Sequence, residues 1–229
     1  MKIYIITKKY MSNKIITTND GSHSIFNPKI NESYHSKHGA IVEAEHVFIK
    51  NGFSMFNIPK IKILEIGFGT GLNALLTYQK TIQKFINVDY HAIEAYPLSK
   101  DYYMNLNFAD LIGLEKSKFL ALHNCNWEEK NNISSYFSLT KYNTLIQKYN
   151  TDIKFDIIYF DAFSPEKQPE LWEIEIFKKM HHFLNNNGFI VTYCAKGIVK
   201  RTLKAVGFKI IVLDGPPGKR QMIRGEKYH

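Results

Sequence analysis

Two hydrophobic periods divide this chain. From residue 61 onward, short apolar runs rich in β-branched and aromatic residues alternate with longer stretches whose apolar positions fall three and four apart. The runs "IKILEIG", "VDYHAIEAY", "FLALHNC", "FDIIYFD" and "GFIVTYC" predict strands. The stretch "GLNALLTYQKTIQKF" predicts a helix, and further helices are predicted from Pro97 onward, over 169–184 and over 196–206. "FKIIVLD", "GPPGK" and "RQMIRG" close the chain as a hairpin. Nearly continuous apolar strands separated by helices call for a parallel sheet covered on both faces, and the terminal hairpin implies one antiparallel strand near the end. The fold class is therefore α/β.

Before residue 53 the pattern differs. "KIYIIT", "KIITTN" and "HSIFN" predict short strands, with "NDGS" at 19–22 as a turn. Residues 35–50 place Ala40, Ile41, Ala44, Val47 and Phe48 at helical spacing, with Gly52 where a C-cap would sit. The expected division is a small β-rich extension over 1–52 and a main domain over 53–229. Residues 128–154 are polar and linker-like, and predict a surface helix and loop.

Composition narrows the class. With 45% hydrophobic and 14% aromatic residues, the chain can bury a sizeable core and is not a disordered one. It holds no 18-residue apolar run, so no membrane span is expected. The first apolar run is interrupted by Lys8 and Lys9 and no small-residue cleavage site follows, which argues against a signal peptide. Cys125 and Cys194 lie far apart and match no metal-ligand or redox spacing; they are expected as reduced core thiols in a cytoplasmic protein, with no metal. The 30 Lys and Arg against 21 Asp and Glu favour a polyanionic partner such as nucleic acid. Much of the excess lies in the last third, where Lys196, Lys200, Arg201, Lys219 and Arg220 occur with few acids between them.

The chemistry concentrates at predicted strand ends. "LEIGFGTGLN" places Gly67, Gly69 and Gly71 after a strand and at a helix start, where backbone amides and the helix N-terminus can approach a ligand. Leu72 stands where a dinucleotide fingerprint needs its third glycine, so the spacing is G-x-G-x-G. Glu65 beside the loop suits a cationic ligand, such as the amino acid end of S-adenosylmethionine, better than a diphosphate. Glu94 ends the second strand, where a doubly wound fold offers a carboxylate to ribose hydroxyls. In "HNCNW", Asn124 or Asn126 could reach an adenine edge, with Asn126 taken as the cofactor contact.

The stretch "FDIIYFDAFSPEKQPELW" ends a buried strand on Asp161 and stiffens the following loop with Pro165 and Pro169. Ser164 is the expected N-cap of the next helix, with Pro165 at its first position, leaving Asp161 free to face an acceptor. A carboxylate there can hold an amine nucleophile, orient its lone pair and accept its proton.

With these segments in view the sequence resembles the MnmC-type tRNA methyltransferases. The likeness rests on "DGSHSIFNPKINESYHSKHGAIVEAEHVFI", "LEIGFGTGLNALL", "HAIEAYPLS", "YFDAFSPEKQPELW", "GFIVTYCAKGIVKRTLKAVGF" and "GPPGKRQMIRG". It implies a class I methyltransferase (Rossmann-like) fold and methylation of 5-aminomethyl(-2-thio)uridine at the tRNA wobble position. It further implies that the glycine loop cradles the methionine part of S-adenosyl-L-methionine, that Glu94 binds its ribose, and that Tyr34 and His35 lie near the pocket. Asp161 would act on the aminomethyl group, and the basic residues at 196–204 and 219–224 would bind tRNA phosphates. Many members carry a C-terminal flavin-dependent oxidase domain, for which this chain has no room. A stand-alone, monomeric methyltransferase is expected, supplied with its primary amine by another tRNA-modifying enzyme. The competing expectations are a spermidine-synthase-like aminopropyltransferase, which should need an acidic pocket, and a small-amine N-methyltransferase.

Overall fold

Apolar strands whose side chains are buried on both faces dictate a sheet that helices must cover on either side. A computed structural model describes residues 12–228. The strand expected at "KIYIIT" lies outside the described residues.

A small antiparallel sheet comes first, formed by β1 (Lys14–Thr17), β2 (His23–Asn27) and β3 (Glu32–Ser33). The turn between β1 and β2 does more than reverse the chain. Ser22 Oγ accepts from the Ala40 amide at 3.1 Å, and Asp20 Oδ2 accepts from the Val42 amide at 3.0 Å. The turn thus satisfies the open N–H groups at the start of α1 (Ala40–Ala44), which continues as one π-helical turn over Glu45–Lys50. Gly52 is not a left-handed cap, as its φ is −117°. A side chain there would meet the Phe48 carbonyl oxygen at 2.2 Å, so close packing sets its identity.

The main sheet follows with β4 (Lys60–Ile66), α2 (Leu72–Lys84) and β5 (Asn87–Ile93). The short helices α3 (Lys100–Tyr103), α4 (Phe108–Leu111) and α5 (Lys116–Asn124) come next, then β6 (Lys130–Ser134) and β7 (Phe137–Tyr142). The chain ends through β8 (Phe155–Phe160), α6 (Ile174–Phe183), β9 (Leu184–Thr192), α7 (Gly197–Val206), β10 (Phe208–Asp214) and β11 (Gln221–Lys227). The eight strands lie in the order β10-β11-β9-β8-β4-β5-β7-β6. Neighbours from β9 through β7 run parallel, and β11 is antiparallel to both β9 and β10. This is the expected mostly parallel α/β sheet with its terminal hairpin. Ile25, Ala40, Ala44, Val47 and Phe48 of the N-terminal segment share a core with Ile63, Leu75 and Tyr159 of the sheet and its helix.

Several local expectations are corrected. "FLALHNC" is part of α5, because Phe119 and Leu122 lie three apart and are both fully buried on one helix face. The third parallel strand is instead β7, inside the stretch expected as a surface helix and loop. Its sequence "FSLTKY" looks polar, yet Ser138, Thr140 and Lys141 are buried. Their polarity is absorbed locally: Ser138 Oγ donates to Asp89 Oδ1 at 2.9 Å and Lys141 Nζ to the His123 carbonyl at 2.6 Å. Its partner β6 runs antiparallel and makes a second antiparallel edge that the pattern did not foretell. The helix expected from Pro97 begins only at Lys100. The helix expected over 169–184 is a 3-10 turn at Pro169–Leu171 followed by α6, and Ser164 caps neither: its hydroxyl donates to Glu32 Oε2 at 3.0 Å.

Candidate active site

The carboxyl ends of β4, β5 and β8 open onto one cavity of about 1260 Å³, larger than the roughly 300–1,000 Å³ of a usual small-molecule site. Glu32 of β3 and the bend that follows it, with Tyr34 and His35, add to the lining. This placement follows from the fold, since parallel strands of an open sheet leave their ligand crevice beyond their carboxyl ends.

The glycine loop forms the floor. Gly67, Gly69 and Gly71 have φ of +89°, +49° and +74°, a region that favours glycine. A side chain at Gly67 would strike the Asp161 carbonyl oxygen at 2.6 Å, and one at Gly69 would press on the Tyr34 ring at 3.2 Å. Gly71 does not line the cavity; a side chain there would collide with His123 Nε2 at 2.8 Å, so this glycine serves packing. Tyr34 stands edge-on to Phe163 with ring centroids 5.1 Å apart, so both aromatics frame the loop. His35 Nε2 meets Thr70 Oγ1 at 2.6 Å, and burial lowers its pKa to about 4, so the ring is neutral at pH 7.

The carboxylates occupy different settings. Glu94 accepts from the Gly69 amide at 2.8 Å and from the Tyr96 amide at 2.9 Å, which fixes it at the cavity wall. Each oxygen keeps a further lone pair for a hydroxyl. Glu65 is 1% exposed and is not among the lining side chains. It reaches the site through Asn73, whose Nδ2 donates to Glu65 Oε1 at 2.9 Å and to Asp161 Oδ2 at 2.8 Å. Burial pushes the Glu65 carboxyl well above the usual range, and its Oε2 has no hydrogen-bond partner. Asp161 follows β8, is half-buried and faces the cavity. Desolvation raises its pKa to about 7, with Glu43 raising it further while the Asn73 hydrogen bond and Lys219 lower it.

The basic residues divide. Lys196 and Lys219 line the cavity, paired with Glu166 and Glu43 respectively. Lys219 Nζ also lies 4.3 Å from the centre of the Tyr193 ring. Lys200, Arg201 and Arg220 do not line the cavity; Arg201 and Arg220 are exposed and Lys200 is half-buried. Asn126 is not brought to the cavity either: it is exposed and donates to Glu129 Oε2 at 3.0 Å, while Asn124 accepts from Tyr103. The structure adds Glu43, Asn73 and Tyr193, which sequence reasoning missed. Asn73 was visible in the quoted glycine segment, but Glu43 looks like any polar residue on an amphipathic helix.

The cavity fits S-adenosyl-L-methionine. It offers glycine backbone where any side chain would clash and a fixed carboxylate at Glu94. No candidate cluster of metal-ligating side chains occurs among the described residues, and none of their helices is long and apolar enough to cross a membrane.

Comparison with known proteins agrees with this geometry. A family model described as S-adenosyl-L-methionine-dependent methyltransferase matches residues 121–228. The chain is 29% identical, over 90% of its length, to a tRNA 5-methylaminomethyl-2-thiouridine biosynthesis bifunctional protein MnmC from Cupriavidus metallidurans. A protein of the same name from Leptospira interrogans is 27% identical over 86% of this chain. The chain spans about a third of the length of these relatives, 33% in each case. Among solved structures, MnmC2 from Aquifex aeolicus superposes with a TM-score of 0.77 at 22% identity, covering 95% of this chain and 71% of that one. The expected mostly parallel α/β fold and the resemblance to MnmC proteins are upheld.

Proposed function

We propose that this methyltransferase acts on tRNA, converting 5-aminomethyl(-2-thio)uridine at the wobble position to its 5-methylaminomethyl form. The observation that carries the reading is Asp161: a carboxyl at the tip of a central strand, open to the cavity, with a pKa of about 7. Such a group can take a proton from an ammonium at neutral pH. When bound, S-adenosyl-L-methionine supplies an electrophilic methyl carbon on a positively charged sulfur.

The chain's own residues supply the rest. Gly67 and Gly69 would hold the methionine part, and Glu94 the ribose. Asp161 would hold the amine, accept its proton and leave the nitrogen lone pair directed at the methyl carbon. Tyr34 and Phe163 would displace water from the reacting groups, which strengthens each polar contact there. Lys29, Lys37 and Lys148 line the cavity, and Lys200, Arg201 and Arg220 lie beyond it; these would meet tRNA phosphates. The likeness to MnmC proteins supports this reading over the aminopropyltransferase one; the cavity lining itself mixes Lys29, Lys37 and Lys148 with Glu32, Glu94 and Asp161. The reading further takes the protein to be a cytoplasmic monomer that depends on another enzyme for the primary amine.

The test is methyl transfer from radiolabelled S-adenosyl-L-methionine to tRNA from cells lacking this gene, followed by nucleoside analysis. Label in 5-methylaminomethyl(-2-thio)uridine supports the reading. S-adenosyl-L-methionine binding without labelled tRNA would overturn the acceptor and direct attention to small amines.

A further inference from the structure

The Asn73 amide nitrogen lies within hydrogen-bond reach of two carboxyl groups from different strands. Both neighbours of that nitrogen accept from it, so the two hydrogens of the amide are fully used. The side chain is 2% exposed, and its Oδ1 has no partner although the residue lines the cavity. A buried acceptor left open costs stability unless something fills it. Asn73 sits in the first turn of α2, held in place by the left-handed Gly71 before it and by its own carbonyl, which accepts from Thr77 Oγ1 at 2.7 Å.

We propose that Asn73 is a positioning residue for the reaction: one N–H aims the Asp161 carboxylate, the other ties it to Glu65, and Oδ1 accepts from an N–H of the cationic nitrogen that Asp161 binds. This inference rests on the proposed amine methylation. A primary ammonium has three N–H groups, and a carboxylate and an amide oxygen side by side hold two of them while the nitrogen is turned toward the methyl carbon. The charged and titratable groups that face Asp161 come from several elements: Glu65 on β4, Tyr90 on β5, Glu43 on α1, Lys219 in the hairpin turn and Tyr193 after β9. Among the described residues, Asn73 alone donates a side-chain hydrogen bond to the Asp161 carboxylate.

Asn73→Ser keeps a small polar group and the helix start but cannot bridge two carboxyls. In it, kcat should fall about 10- to 100-fold at pH 7.5, and the acidic limb of the kcat–pH profile should move upward by roughly half to one unit, because a hydrogen bond that favours the charged carboxylate is lost. Affinity for S-adenosylhomocysteine by calorimetry should stay within about threefold. In an Asp161→Asn background the same substitution should cost clearly less than in the parent, since no carboxylate is left to aim and only the Oδ1 contact to the nitrogen is lost. An unmoved pH limb, or full additivity with Asp161→Asn, would overturn the assignment. If no methyl transfer to tRNA is found for the unaltered protein, the reading itself has failed. The positioning role is then read separately from the Asp161 carboxyl 13C titration, which should still shift upward in Asn73→Ser.

Discussion

Replacing Asp161 by Asn separates the two things its carboxyl does. Asparagine has nearly the same volume and can still accept from Asn73, so the 2.8 Å contact has no steric reason to be lost. What disappears is the proton acceptor and the partly buried charge. The folded carboxyl titrates at about 7 against an ordinary 3.8, a shift of about 3 units. At about 1.36 kcal/mol per unit the ionised group would cost the fold about 4 kcal/mol at full burial. The carboxyl is only half-buried and opens on the cavity, so solvent screening reduces this to about 1–2 kcal/mol.

The sign is that of a raised acid. Between the ordinary pKa and 7 the folded state holds more protons than the unfolded one, so the unaltered protein loses this stability as pH rises through that window. Asp161→Asn should match the parent near pH 4 and become progressively more stable, reaching its full advantage above about pH 8. Activity should move the other way, with kcat down roughly 10²- to 10⁴-fold, the usual contribution of a positioned acid or base. Denaturant melts at several pH values and single-turnover methyl transfer measure the two sides. An Asp161→Asn variant within about threefold of parental kcat, or one with no pH-dependent gain in stability, would refute the account of this carboxyl.

Two other outcomes follow from the site. Gly69→Ala must place a side chain at φ +49° against the Tyr34 ring; the free loop relaxes away from that conformation and must return to it to bind, so S-adenosyl-L-methionine Kd should rise about 5- to 30-fold, corresponding to its ~1–2 kcal/mol cost, with the fold retained by circular dichroism. The Lys200→Ala/Arg201→Ala variant should weaken tRNA binding across sequences and reduce the slope of log K against log salt by about 2, leaving cofactor affinity unchanged; an identical slope in filter binding would place the RNA elsewhere.

The order of strands and helices from β4 to α2 and from β8 to β11 was legible because these segments are long enough to show their period, and buried parallel strands are apolar throughout. The same rule misled at 119–142. Phe119 and Leu122 form a short apolar run whose period is ambiguous, and β7 hides behind Ser138, Thr140 and Lys141, whose polar atoms find partners only in three dimensions.

For the candidate site, the chain alone singled out Gly67, Gly69, Glu94 and Asp161, which the fold brings to one cavity, because strand ends and left-handed turns leave local signatures. Local sequence carries the conformational demands of a turn or a strand tip, since these are met within a few residues. Only tertiary structure brought Asn73 between Glu65 and Asp161, paired Lys219 with Glu43 and Lys196 with Glu166, and left Asn126 outside. Those outcomes depend on hydrogen bonds and charges joining elements far apart in the chain. No local period encodes which distant carboxylate a lysine or amide will meet.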